Sequence, residues 1–158
     1  MVINKMHIDN RIIVPRILSK KCFIASDCEL TEREVKWFNL AIQEVSEQIM
    51  IDSTRDLDFD SLTGVNICFS LSGNIHYSED ILSGEHGVHF FTIVYLMERL
   101  RQKQDDQFLF ATYIEELVHH FWHIEDETLV KYKVVEIAQK YDKNFTLDLY
   151  KKWGVKLE

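Results

Sequence analysis

The sequence predicts an α+β fold in which a small β-sheet packs against about three to five α-helices. Three observations carry this reading. A capping box at Thr31-Glu32-Arg33-Glu34 opens a run in which Val35, Phe38, Ile42, Val45 and Ile49 recur at helical spacing. Val65 to Leu71 is a short, apolar, β-rich stretch bounded by Gly64 and by Ser72-Gly73-Asn74. Phe110, Ile114, Leu117 and Phe121 form an apolar stripe whose opposite side is acidic and histidine-rich. At 158 residues a single domain, 1–158, is expected. A hydrophobic content of 46% is ample for one core.

Taken in order, residues 11–26 read as an extended segment. The capping box then starts a helix over 31–50 with Phe38, Ile42 and Val45 inward. The acid-rich 52–60 stretch is a loop. The strand at 65–71 is followed by a turn and by Ile75-His76-Tyr77, which suggests a hairpin over 65–79. Gly84 to Gly87 marks a break, and 88–101 reads as strand first and helix later. Asp105 or Asp106 caps a helix that runs to His123. Ile124-Glu125-Asp126 forms a bend, and a helix over about 126–141 turns Val130, Val134 and Ile137 inward. The tail, with Phe145, Leu147, Leu149, Tyr150 and Trp153, is too apolar to hang free.

Composition narrows the function. A formal charge of -8 argues against a nucleic-acid binder that works through a basic patch. It suits a soluble protein or one that meets basic partners, and a protein or peptide partner is expected. Cys22, Cys28 and Cys68 are odd in number with no CxxC pair, which fits reduced thiols in a cytoplasmic protein. Cys22 and Cys28 are read as small buried apolars, and Trp37, Trp122 and Trp153 as core anchors. No apolar run approaches the roughly 20 residues of a membrane-spanning helix, and no signal-type block stands at the N-terminus. The glycines make no phosphate-cradling loop.

The chemistry concentrates in Glu115-Glu116-Leu117-Val118-His119-His120-Phe121-Trp122-His123-Ile124-Glu125-Asp126-Glu127. Three of the seven histidines fall within five residues there. On a helix, Glu115, His119 and His123 form one row at i, i+4 and i+8, and Glu116 and His120 form a second beside it. The stretch resembles the active-site helix of the zincin metallopeptidases, whose motif is HExxH. Glu116-Leu117-Val118-His119 matches E-x-x-H, with Glu115 where the first zinc histidine stands. Glu127-Thr128-Leu129-Val130 resembles the second helix of the gluzincin branch, where a glutamate supplies the third ligand. The likeness spans about 65–140, and its specific motif about a dozen residues.

That resemblance implies a zincin-like fold and a metal-dependent peptidase or hydrolase. Glu116 is then the base, and Glu115, His119 and Glu127 are metal ligands, with His123 flanking them or orienting a carboxylate. It also implies a peptide bound along a strand beside the helix. Two carboxylates and one imidazole make a harder site than zinc prefers, so the ion would be Zn, Mn or Fe, with the last two favoured by the donors.

Other readings stand beside this one. In a second register His119 and His123 form HxxxH, with Asp126 or Glu127 as third ligand and His120 in place of the base. That register binds metal without hydrolysis. A carboxylate-bridged di-metal bundle needs a second ExxH pair, which is absent. With no metal at all, the cluster is a polar helix face and the chain a non-enzymatic acidic interaction module, an inhibitor or regulator. His86 and His89 are surface residues or distant ligands. His76 and Tyr77 line a cleft or simply pack.

Overall fold

The computed structural model describes residues 5–75 and 91–157. After a 3-10 turn at Arg16–Leu18 come strand β1 (Cys22–Ser26), helix α1 (Glu32–Asp52) and a 3-10 turn at Phe59–Ser61. Strands β2 (Val65–Ser70) and β3 (Thr92–Leu96) follow, then helices α2 (Met97–Gln102), α3 (Asp106–Trp122), α4 (Glu127–Ala138) and α5 (Asp148–Lys152). Among the described residues this is an α+β arrangement of one three-stranded sheet and five helices. None of those helices is long and apolar enough to cross a membrane.

The local signals act as their chemistry requires. Thr31 Oγ1 accepts from the Glu34 amide at 3.1 Å, and the Glu34 carboxylate accepts from the Thr31 amide at 2.9 Å. Two of the orphan donors at the start of α1 are thereby satisfied. Arg101 in α2 reaches back to hold the same Glu34 at 2.9 Å, so the cap is tied to the chain that follows β3. Asp105 caps α3 through the Phe108 amide, and Asp126 caps α4 through the Leu129 amide. The extended segment at 11–26 condenses to five strand residues. Pro15 lacks an amide hydrogen and instead precedes the first 3-10 turn. The last long helix ends at Ala138, not near 141, and the chain continues in turns.

The expected hairpin over 65–79 does not form. β2 is the central strand, paired in parallel with β1 on one edge and with β3 on the other, so no edge remains for a hairpin partner. Parallel neighbours need long crossovers, and between β1 and β2 the chain through α1 supplies one. Residues 76–79, with His76 and Tyr77, lie outside the described residues, as do Gly84–Gly87, His86 and His89.

Four aromatic rings from four elements meet at the centre. Phe38 of α1 and Phe69 of β2 lie 4.9 Å apart, and Tyr95 of β3 and Tyr113 of α3 lie 5.0 Å apart. Phe38 also meets Tyr113 at 5.3 Å. The Tyr95 hydroxyl donates to the Tyr113 carbonyl at 2.7 Å, which satisfies a fully buried polar group and fixes α3 against β3. The tail is docked, as its composition requires: Phe145 and Tyr150 are buried, and the Trp153 indole donates to Asp105 at 2.9 Å. Trp37, Trp122 and Trp153 sit at the rim of the core and not at its centre, which suits an indole that needs a polar partner. Cys22 is buried, and burial pushes its thiol up to about 12.

One polar contact lies deep among the helices. Asp52, the last residue of α1, accepts from the Trp122 indole at 2.8 Å, the Lys133 ammonium at 2.6 Å and the Gln48 amide at 2.8 Å. Burial pushes its carboxyl up, but these donors outweigh burial and hold it below the usual carboxylate range. Asp52→Ala should lower the unfolding free energy by about 3 kcal/mol at neutral pH. That is the low end for a broken buried pair, because Lys133 keeps Glu136 at 3.0 Å. A carboxyl depressed in the native state stabilises above the unfolded-state value of about 4 and loses that contribution as pH falls through its native value. Urea midpoints of parent and variant should therefore converge in acid; a gap that is constant down to pH 2 would contradict this assignment.

Candidate metal centre

The stripe Phe110, Ile114, Leu117 and Phe121 is buried, and this sets the rotation of α3 about its axis. With that stripe inward, Glu115, Glu116, His119 and His120 fall on its partly buried flanks. The helix ends at Trp122, and His123 adopts the left-handed conformation with φ 52°. This reverses the chain at the point where helices often place glycine or asparagine. The residues that follow fold back: His119 Nδ1 bonds the Ile124 carbonyl at 2.7 Å, and the Asp126 cap starts α4 at Glu127.

Folding back brings Glu127 over α3. One donor atom each from Glu115, His119 and Glu127 lies within 4.8 Å of the other two. Among the described residues this is the group whose donors converge as a metal site requires. A carbonyl only accepts, so His119 Nδ1 carries the proton of the bond to Ile124. In the neutral imidazole the lone pair then lies on Nε2, 3.6 Å from a Glu127 carboxylate oxygen. Ligating imidazoles are commonly oriented this way, by a main-chain oxygen behind the ring. Two carboxylates and an imidazole make a chemically competent donor set for a divalent ion of intermediate hardness.

His123 is not part of this group. The row through Glu115, His119 and His123 needs helix through position 123, and the left-handed residue there breaks it. The HxxxH register fails for the same reason. Asp126 is engaged as the α4 cap. His120 is taken up structurally: Nε2 bonds the Thr63 carbonyl at 2.9 Å, and its ring lies against Phe121 and Phe91.

One residue of the site was not legible from the motif. Lys131 is only 7% exposed, and its ammonium lies 3.2 Å from Glu127 Oε2 and 3.6 Å from Glu115 Oε1. The signal was there in the spacing: Glu127 and Lys131 are i, i+4, and Lys131 continues the buried face of Val130, Val134 and Ala138. Behind Glu115, towards the tail, lies a cavity of about 190 Å³ walled by Phe108, Ala111, Tyr150 and Trp153.

On the other flank of α3 is an open cleft of about 260 Å³, lined by Phe91, Thr92, Ile93, Glu116, His119, His120 and His123. Its wall is β3, not the 65–79 segment expected, because β2 is enclosed between its neighbours and β3 is the strand fixed against α3. Glu116 thus faces the cleft. Burial raises its carboxyl above the usual range, opposed by His119 and reinforced by Glu127. Glu115 is raised as well, by burial first, with Lys131 opposing and the acids Glu127 and Glu116 adding to it. Burial lowers the His120 imidazole. The result is two adjacent acids with different surroundings, one turned to a lysine and one to an open cleft.

A glycine accepts the left-handed conformation at position 123 without the steric cost of a side chain. His123→Gly should therefore raise the unfolding free energy by about 0.5–1 kcal/mol, read from urea unfolding. A clear loss of stability would mean that the imidazole holds the turn through contacts that outweigh the strain. No family model, no curated protein and no solved structure matches the chain.

Proposed function

We propose that this chain is a zincin-like, metallopeptidase-related protein that binds a divalent transition metal through Glu115, His119 and Glu127. The observation that carries the reading is the convergence of those three donors, from two helices and across a reversed chain, within 4.8 Å. With two carboxylates in the set, Mn or Fe suits the donors better than Zn. A metal of this kind, when bound, polarises a carbonyl and acidifies water. The chain's own contribution is Glu116, whose carboxyl faces the cleft and sits above the usual range. It is suited to take a proton and return it to a leaving amine. The β3 wall gives a peptide a surface to lie along, beside the base. His119 is held by Ile124 and presents Nε2, so it needs no rearrangement to ligate.

A second reading rests on Lys131. Its ammonium already neutralises part of the charge on Glu115 and Glu127, as it would in an acidic interaction module that uses no metal. Elemental analysis and metal titration of the purified chain separate the two. Under the first reading, the parent takes up one equivalent of Mn, Fe or Zn, His119→Ala abolishes uptake, and His120→Ala retains it. Glu116→Gln should keep the metal and lose at least about 100-fold in hydrolysis of an unstructured peptide. A parent protein that takes up no metal, or equal loss in the two histidine variants, would leave the interaction module standing.

A further inference from the structure

We propose that Lys131 is an internal occupant of the Glu115–His119–Glu127 site, which an incoming divalent ion must displace, so that this residue sets the affinity of the site. The proposal rests on the metal reading above and adds the regulation of that site by the chain itself.

Its position is the first argument. Lys131 is 7% exposed and belongs to the inward face of α4, with its ammonium 5.6 Å from the centre of the Tyr150 ring. It is therefore not a surface lysine that has drifted inward. The ammonium reaches oxygens of the same two carboxylates that converge with His119, at 3.6 Å for Glu115 and 3.2 Å for Glu127. A cation held by those carboxylates competes with the ammonium for negative charge and is repelled by it while it remains.

The second argument concerns what is left when the lysine is displaced. Its remaining hydrogen bond is to the main-chain oxygen of Glu127, at 3.2 Å, one helical turn back. That contact does not depend on either carboxylate group, so the ammonium keeps a partner if the carboxylates turn to an ion. His119 is not engaged by Lys131: Nδ1 is held by Ile124, and Nε2 faces Glu127. The imidazole is therefore the donor that distinguishes a transition metal from the ammonium. Ions that gain little from nitrogen, such as Mg, compete with the lysine through charge alone.

The test is titration of the full chain with MnCl2, with free Mn(II) followed by its paramagnetic resonance signal. Lys131→Met keeps the length and apolar stem but removes the charge. It should bind Mn(II) about tenfold or more tightly than the parent, whereas Lys131→Arg, which keeps the charge, should stay within about threefold of it. If the parent binds and Lys131→Met binds equally or more weakly, Lys131 merely braces the site and the proposal is overturned while the metal reading survives. If neither parent nor variant binds any Mn(II), the metal reading itself falls and the proposal falls with it. Circular dichroism melts check folding, and Lys131→Gln, judged by the same tenfold criterion, replaces the methionine variant should that one not fold.

Discussion

Asp52 ends α1 with a buried carboxylate that must be satisfied from several directions, and the elements that satisfy it are the ones that frame the candidate centre. Trp122, the last residue of α3, and Lys133, on the second turn of α4, both bond its Oδ2 atom. A carboxylate in that position is costly unless each of these partners is in place. The end of α3 and the body of α4 are therefore registered on a third helix, independently of the loop that joins them. With both helices so placed, residues 123–126 must close a short gap, and the left-handed conformation at His123 does so. His119 and Glu127 meet as a consequence of that closure.

Helix α4 serves two polar sites at once. Residues two apart on a helix point to nearly opposite sides, so Lys131 and Lys133 reach in different directions. Lys133 goes to Asp52 and Glu136, and Lys131 to Glu115 and Glu127. Between them lies the apolar row of Val130, Val134 and Ile137, fully buried. The two polar clusters differ in completeness. At Asp52 each oxygen accepts from at least one donor within 2.8 Å, which is a finished structural joint. At the other, one lysine faces two carboxylates at 3.2–3.6 Å, and the His119 Nε2 atom lies 3.6 Å from a Glu127 oxygen. The Asp52 cluster is thus the tighter of the two, and the Glu115–Glu127 cluster the looser.

Much of this was written in the sequence, and what was not has physical causes. Thr31 with Glu34, and Asp105 and Asp126 as caps, are local chemistry and set α1, α3 and α4 to within a few residues. Glu115 and His119 were legible as one helical row, a turn apart, whereas Glu127 entered through the gluzincin resemblance; the three place donor atoms within 4.8 Å of one another. Strand pairing was not, because partners in a parallel sheet are joined only through long crossovers. Ser72-Gly73-Asn74 carries the composition of a hairpin turn whichever way the chain proceeds. His123 leaves the Glu115–His119 row because it takes the left-handed conformation just beyond α3, which no glycine or proline between Leu117 and Glu127 announces. Lys131 was missed because a lysine within an apolar face is read as solvent-facing until a buried acid is shown opposite it.

The adjacency of Glu115 and Glu116 has a consequence for any hydrolytic chemistry at this centre. A carboxylate that binds a cation is a poor base, since the cation holds the electron pair a proton would need; ligand and base must therefore be separate groups. Two successive helical residues differ by about 100° in direction, enough to send one side chain towards α4 and the next into the cleft. Glu115 accordingly meets Lys131 and Tyr150, whereas Glu116 meets β3 and open space. Burial raises both carboxyls, but Lys131 counters it mainly at Glu115, where it is the largest opposing influence, while at Glu116 that place belongs to His119. Both carboxyls are raised, and they differ in the neighbour that most opposes the rise, Lys131 on the α4 side and His119 on the cleft side. Under the proposed metal reading, this pair of neighbouring glutamates would divide the roles of ligand and base between them, and the division would depend on the rotation that the buried stripe of α3 imposes.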